Sequence, residues 1–222
     1  MAAFYYTAMQ KIILQQLAPL FLEKEKVAQS EIWNKEIVIN TSQKLQLIAP
    51  SGSGKTSLIH FLYGLRKDYT GQILFDENKI SNLSAEALAE TRSSHISIIF
   101  QDLRLFLEHT AKENIEIKKA LNPFASAMPV EEMAKILGIT SKLHQVAKTC
   151  SYGEQQRIAI IRALQQPFDF LLMDEPFSHL DESNRHKAME LIETEAAKRN
   201  AAIILADLKA IEYFKADNIL HL

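Results

Sequence analysis

The chain has 222 residues, of which 47% are apolar and 23% are charged, values that fit a globular protein with a buried core. Its net charge of -2 argues against a general binder of nucleic acid or anionic membrane, which would carry a basic excess. A single cysteine excludes an internal disulfide framework. We find neither a secretory signal nor an apolar run near the ~20 residues that span a bilayer, so we expect a cytoplasmic chain that meets a membrane only through a partner.

The first hundred residues are rich in short apolar runs that predict β-strands. These runs cover residues 11–22, 30–40, 45–49, 71–76 and 95–100. The charged residues 23–26 between the first two runs predict an exposed hairpin tip. Residues 84–92 predict a helix with Ser84 as its N-cap.

The second half of the chain alternates helical patterns with buried strands. Residues 102 to about 166 are helical and more polar, with breaks at Asn122-Pro123, Pro129 and Gly138. The runs 168–173 and 201–206 are almost wholly apolar, as central parallel strands are. The other predicted elements are helices over 154–166 and 183–199, a short helix after 206 and a last strand near 218–222.

This order of elements predicts an α/β fold with a largely parallel sheet, an antiparallel β portion near the N-terminus and an inserted α-helical subdomain. We expect residues 1–222 to form a single domain. Its core would combine residues 1–101 and 167–222, and the subdomain would cover about 102–166.

A glycine-rich turn between the strand at 45–49 and the next helix predicts a phosphate-binding loop. Gly52 and Gly54 let the backbone curl so that its N–H groups and the positive end of the helix dipole face phosphate oxygens. Lys55 would reach the outer phosphates and stabilise their charge, and Thr56 would offer its hydroxyl to Mg²⁺. The pattern wants glycine where Ala49 stands, and a plain Gly/Ser turn is the alternative. The loop residues are Ser51, Gly52, Ser53, Gly54, Lys55, Thr56 and Ser57.

Two carboxylates, Asp174 and Glu175, follow the buried run 168–173. In open α/β sheets, ligands bind at the carboxyl ends of the strands. We therefore expect Asp174 to hold Mg²⁺ and Glu175 to accept a proton from an attacking water. The alternative is a helix N-cap or a surface acidic pair.

Along nearly its whole length the chain resembles the ATP-binding-cassette (ABC) ATPases, a family of P-loop NTPases. Besides the phosphate loop and the acidic strand end, three segments carry the resemblance. Residues 100–102 look like the family's glutamine loop, 150–157 like its signature motif, and 178–181 like the loop after the acidic strand end. Residues 92–101 also look like the branch that serves lipoprotein export, macrolide export and cell-division complexes.

The resemblance implies ATP and Mg²⁺ as ligands, a homodimer that closes over two ATP molecules, and a transmembrane permease subunit as partner. Ser151 and Gly153 would contact the γ-phosphate across that dimer, and Gln101 would sense Mg²⁺ or the attacking water. Phe21 lies near the place where the family stacks a ring on adenine, a few residues further from Lys55 than is usual. A core phenylalanine is an equal alternative for Phe21.

Besides Ala49, three residues depart from the family pattern. Cys150 stands where the signature usually has leucine, and it reads as a small buried hydrophobe rather than a reactive thiol. Tyr152 replaces the first glycine of the signature and adds bulk beside the γ-phosphate site. Ala206 stands just before Asp207, where the family has a switch histidine, and its methyl group cannot bind a γ-phosphate.

Three functions stay open at this stage. The first is an ATP-hydrolysing subunit of an ABC transporter or related membrane complex, which intact Glu175 favours. The second is a nucleotide-gated dimerisation module with little hydrolysis, which Ala49, Tyr152 and Ala206 favour. The third is a soluble cassette in translation or DNA repair. The single cassette without a long coiled-coil insertion disfavours this third function.

Overall fold

A computed structural model describes residues 8–124 and 127–222. We predict the absence of a secretory signal from the amino-terminal residues, and most of these lie outside the described ranges. The strands and helices are β1 (Lys11–Pro19), α1 (Lys24–Gln29), β2 (Glu36–Asn40), β3 (Lys44–Ile48), α2 (Lys55–Leu62), β4 (Tyr69–Phe75), β5 (Asn78–Lys79), α3 (Ala85–Ser94), β6 (Ile96–Ile99), α4 (Ala111–Leu121), α5 (Val130–Ile136), α6 (Tyr152–Leu164), β7 (Phe170–Asp174), α7 (Glu182–Arg199), β8 (Ala202–Asp207) and β9 (Asn218–His221).

The strands form two sheets, and the predicted α/β class is confirmed. One sheet has five parallel strands in the order β6-β7-β8-β3-β9. The other has four antiparallel strands in the order β2-β1-β4-β5. The antiparallel sheet therefore also takes two strands from beyond the phosphate loop. Because β3 and β7 both run in the parallel sheet, their carboxyl ends lie at the same edge.

Two hydrophobic cores lie on opposite faces of the parallel sheet. Phe170 and Leu172 belong to the core around α2 and the antiparallel sheet, whereas Leu171 and Met173 belong to the core under the helices. A strand that is buried on both faces has no polar positions, which explains the continuous apolar run.

The helical block has the breaks that the sequence predicts. A capping box of Thr110 and Glu113 begins α4, and α5 begins after Pro129. Its buried residues share one core with α7 and one face of the parallel sheet. We therefore propose that residues 102–166 form a helical subdomain within a single domain. No helix of the described ranges is long and apolar enough to cross a membrane.

Three local predictions are wrong. The predicted hairpin tip at residues 23–26 is instead the start of the short helix Lys24–Gln29, because Val27 packs into the core around α2. The predicted strand 30–40 begins only at Glu36, since the Ser30 hydroxyl accepts the N–H groups of Ile32 and Trp33 and turns the chain. The segment after β8 forms tight turns instead of a helix, and buried Phe214 anchors it.

Candidate functional site

The predicted phosphate loop joins β3 to α2. Gly52 and Gly54 have φ angles of 80° and 101°, in the left-handed region that favours glycine. At Gly54 a Cβ atom would lie 3.1 Å from the Trp33 ring, so this ring would have to shift to admit a side chain. Ala49 is fully buried and is not among the residues with positive φ, so its backbone does not require the glycine of the family pattern.

Lys55 closes this loop from the first turn of α2. Its side chain is 5% exposed, and Nζ donates to the carbonyl oxygens of Ala49 at 2.9 Å and Pro50 at 3.4 Å. Nζ also lies 3.4 Å from a carboxylate oxygen of Glu175. These partners hold a charged ammonium over the loop, within reach of phosphate oxygens bound there.

Asp174 ends β7 beside Thr56. The residue is 1% exposed, and neither carboxylate oxygen accepts a hydrogen bond from the described residues. Burial raises the pKa of Asp174 to about 6, and the nearby Thr56 hydroxyl and Lys55 ammonium oppose that rise. A buried carboxylate without a partner is costly. Its oxygens and the Thr56 hydroxyl are hard donors that fit Mg²⁺.

Glu175 and Gln101 face each other across the same cleft. Glu175 has a φ of 45°, a sparsely populated conformation for a non-glycine residue. Its backbone N–H donates to Ala206, which ties this turn to β8. The Gln101 Nε2 atom lies 3.4 Å from a Glu175 carboxylate oxygen. The amide and the carboxylate are thus placed where a water next to a bound phosphate could contact both.

The cleft has a volume of about 240 Å³ and gathers most of the predicted nucleotide-binding residues. They are Phe21, Ser51, Gly52, Gly54, Lys55, Thr56 and Ser57, and the predicted catalytic residues Gln101 and Glu175 line the cleft as well. A larger cavity of about 830 Å³ lies beside it and shares Glu175, but no phosphate-loop residue lines it. We take the smaller cleft as the candidate site because it alone of the two combines the loop amides with Lys55.

Phe21 lines this cleft and is 49% exposed, so the alternative of a core phenylalanine is wrong. The Arg66 guanidinium lies 4.8 Å from the centre of its ring and donates to the Ser57 hydroxyl at 2.8 Å. Arg66 carries no sequence signal that marks it as a neighbour of the cleft. Because the contact depends on how two remote segments pack, no local pattern could have revealed it.

The signature residues lie outside this cleft. Ser151 is exposed and caps α6, where its hydroxyl accepts the N–H of Glu154. Gly153 packs against the loop that follows β7 so closely that a Cβ atom would lie 2.9 Å from the His179 carbonyl oxygen. Cys150 is buried as expected, and burial raises the pKa of its thiol. In the described part of the chain, Ser151 and Gly153 therefore do not lie at the chain's own phosphate loop.

Ala206 is fully buried near the end of β8. It lies opposite Asp174 in the parallel register, and its side chain is on the same face of the sheet. Burial raises the pKa of the neighbouring Asp207, which lines the larger cavity. The methyl group of Ala206 therefore occupies the position next to the candidate Mg²⁺ ligand.

Comparison with known proteins places these features in one family. Residues 34–178 match the family model described as ABC transporter. This range contains the phosphate loop, Gln101, the signature residues and the two carboxylates at the end of β7.

Curated relatives and solved structures agree with this match. The glucose import ATP-binding protein GlcV of Saccharolobus solfataricus is 29% identical over 93% of this chain, which spans 58% of its length. The lipoprotein-releasing system ATP-binding protein LolD of Buchnera aphidicola is 34% identical over 73% of each chain. The dimeric structure of MJ0796, a bacterial ABC transporter cassette, aligns with a TM-score of 0.78 at 25% identity, covering 95% of this chain and 94% of that one.

Proposed function

Since this chain belongs to the ABC transporter family, whose ATP-binding cassettes are ATPases, we propose that it is the ATP-hydrolysing subunit that powers a transporter or related membrane complex. One observation carries the proposal. Glu175 lies 3.4 Å from both Lys55 and Gln101 at the carboxyl edge of the parallel sheet, beside a phosphate-binding loop. Asp174, the residue before Glu175, has two buried carboxylate oxygens without a hydrogen-bond partner among the described residues.

Nucleotide binding would use the loop and α2. The loop amides and the positive end of the α2 dipole would take the phosphate oxygens of ATP. Lys55 would exchange its contacts with the Ala49 and Pro50 carbonyls for the outer phosphates, so its charge stays paired throughout. The exposed face of Phe21 would stack on adenine.

Asp174 and Thr56, with Gln101, would hold Mg²⁺. This assignment rests on the two buried carboxylate oxygens of Asp174, which lack a hydrogen-bond partner in the described ranges, and on the nearby Thr56 hydroxyl. The ion, when bound, would neutralise charge on the β- and γ-phosphates.

Glu175 would act as the general base. A water that donates to the Glu175 carboxylate and contacts the Gln101 amide would attack the γ-phosphorus. The new bond joins the water oxygen to phosphorus, and the bond from phosphorus to the bridging oxygen of ADP breaks. The water proton passes to Glu175, and Lys55 stabilises the charge that develops on the phosphoryl oxygens.

We propose that the chain dimerises when ATP binds. Ser151 and Gly153 lie at the N-terminus of α6, outside the chain's own cleft, where the dipole of a 13-residue helix favours an anion. They would therefore bind the γ-phosphate held by a second copy. A transmembrane permease subunit would keep the chain at the cytoplasmic face of the membrane, with no role for nucleic acid.

The second candidate function is a nucleotide-gated dimerisation module with little hydrolysis. It is favoured by Ala206, which stands where the family pattern has a switch histidine and whose buried methyl group cannot donate to a γ-phosphate. Losing one well-placed donor of this kind costs about 10²–10³ in rate. Since a homodimer builds both sites from the same chain, a second copy would not restore that donor.

Titration with a fluorescent ATP analogue and Mg²⁺ tests the binding step. We expect Lys55→Ala to abolish binding, because the phosphate charge would lose its side-chain cation. Lys79→Ala, a change to an exposed lysine of β5, is the matched control and should bind as wild type does. Equal affinity in the Lys55 variant and the wild type would refute the assignment of the phosphate loop.

A further inference from the structure

The turn formed by residues 101–104, here called the glutamine turn, is strained. Leu103 and Arg104 follow each other with φ angles of 57° and 47°, although neither is glycine. Residues in this region persist only where their surroundings hold them. Within the turn, the Leu103 N–H donates to Phe100 and the Arg104 N–H to Asp102. These short bonds do not fix the turn relative to the rest of the molecule, so other contacts must do so.

Helix α6 supplies those contacts from both of its ends. Near its C-terminus, Arg162 donates to the carbonyl oxygens of Leu103 at 2.5 Å and Arg104 at 2.7 Å. At its first residue, the Tyr152 hydroxyl donates to the Gln101 carbonyl oxygen at 3.1 Å. The helix that begins with the signature residues therefore holds the glutamine turn of the same chain by hydrogen bonds to its backbone.

Tyr152 is itself held by the loop that follows Glu175. Its ring lies 4.1 Å from the His179 ring, centre to centre, at an angle of 54°. The close approach of Gly153 to the His179 carbonyl oxygen leaves no room between α6 and this loop. The buried Gln156 adds a bond by accepting the His179 N–H at 3.1 Å. The hydroxyl of Tyr152 is therefore directed at the glutamine turn by packing.

The hydrogen bond from Tyr152 affects the proposed general base, Glu175, through Gln101. The Gln101 backbone accepts from Tyr152, and its side chain lies 3.4 Å from the Glu175 carboxylate. Glycine, which the family pattern has at position 152, could not make this bond. We propose that Tyr152 is a positioning residue for the proposed hydrolysis: its hydroxyl fixes the Gln101 turn and so sets where the Gln101 amide lies relative to Glu175.

A competing interpretation is that Tyr152 serves only as contact surface for another molecule, since 43% of it is exposed. The two interpretations differ in what they require of the side chain. A surface contact needs the ring, whereas the positioning role needs the hydroxyl. Tyr152→Phe keeps the stack on His179 and removes only the hydroxyl, so it separates them.

The experiment compares wild type and Tyr152→Phe in the full chain, with Tyr69→Phe in β4 as the matched control. Hydrogen exchange is measured at the amides of Leu103 and Arg104, and steady-state phosphate release is measured with Mg-ATP. Loss of one hydrogen bond corresponds to roughly a threefold to tenfold effect. We expect exchange to quicken and kcat to fall by about that factor in Tyr152→Phe alone, with KM for ATP changed by less than about twofold.

A double-mutant cycle with Gln101→Ala completes the test. If Tyr152 acts through Gln101, then Tyr152→Phe should cause no further loss of kcat in the Gln101→Ala background. Unchanged exchange at the turn would overturn the proposal, as would faster exchange with unchanged kcat. The inference rests on the proposed hydrolysis. A wild type without turnover would refute that function, while the exchange comparison would still decide whether Tyr152 holds the turn.

Discussion

Replacing Glu175 with glutamine removes one negative charge from the cleft while keeping the size of the side chain. The Glu175 carboxylate lies 3.4 Å from both the Lys55 ammonium and the Gln101 amide, and its side chain is 15% exposed. Removing a general base typically costs about 10²–10⁴ in rate. We therefore expect Glu175→Gln to lose hydrolysis by about that factor.

Nucleotide binding should respond in the opposite direction. Glu175 competes with phosphate for Lys55. Their ion pair is largely buried, so lost hydration offsets much of its attraction and its net contribution is about 1 kcal/mol. The free energy that held this pair becomes available to the nucleotide. We expect Glu175→Gln to bind ATP about fivefold more tightly and to accumulate an ATP-bound dimer, because binding continues without hydrolysis.

Phosphate release, fluorescent-nucleotide titration and size-exclusion chromatography with ATP measure the three effects. Glu182→Gln is the matched control, because Glu182 is an exposed residue of the neighbouring cavity that contributes nothing to the proposed chemistry. It should behave as wild type in all three assays. Turnover of Glu175→Gln at the wild-type rate would show that Glu175 is not the base. Weaker binding would show that Glu175 does not compete for Lys55.

The wild type should hydrolyse ATP slowly. Ala206→His should raise phosphate release by about 10²–10³, because an imidazole there would lie beside Asp174 and would restore the missing donor to the γ-phosphate. The same change should lower the free energy of unfolding by about 1–3 kcal/mol, since the position is fully buried. Lys118→Met should stabilise the protein at pH 7 by about 1–2 kcal/mol, because burial and two nearby arginines lower the pKa of Lys118 to about 8. Arg66→Ala should weaken nucleotide binding by about threefold to tenfold, because it removes the cation that packs on Phe21.

Each of these three changes has a result that would contradict it. A fast wild type that Ala206→His does not improve would show that another group does the work of the switch histidine. The unfolded lysine has a pKa of 10.5, so wild-type stability should rise from about pH 8 to 10.5 and the gain of Lys118→Met should disappear above that range. A gain that is independent of pH would refute the charge argument. Unchanged affinity in Arg66→Ala would show that Phe21 needs no support.

The parts of the site that sequence predicts are those whose signal is local. The phosphate loop needs a strand, two glycines with positive φ and a helix in succession, and all of these lie within twenty residues of each other. The same holds for the run that ends at Asp174 and Glu175, because a strand buried on both faces leaves a continuous apolar signature. Ser84 shows a further local signal, since its side chain accepts the N–H of Ala87 as a capping residue should.

Features that depend on packing between remote segments were beyond the sequence. The bond from Tyr152 to Gln101 joins residues 51 positions apart, and neither residue type announces it. The charged residues 23–26 predict an exposed turn, yet three of them begin the helix Lys24–Gln29, whose apolar residue Val27 packs into the core. The position of Phe21 was ambiguous for the same reason. Only the fold decides whether an isolated aromatic residue is buried or lines a cleft.

Phosphate release from Mg-ATP by the purified chain decides whether ATP is hydrolysed at this phosphate loop. We expect turnover by wild type and by Lys79→Ala, and none above background by Lys55→Ala, because Lys55, unlike Lys79, lines the cleft with Glu175. Equal rates in the wild type and Lys55→Ala would contradict it, since hydrolysis would then not occur at this loop. Absence of turnover by wild type at saturating Mg-ATP would contradict it as well.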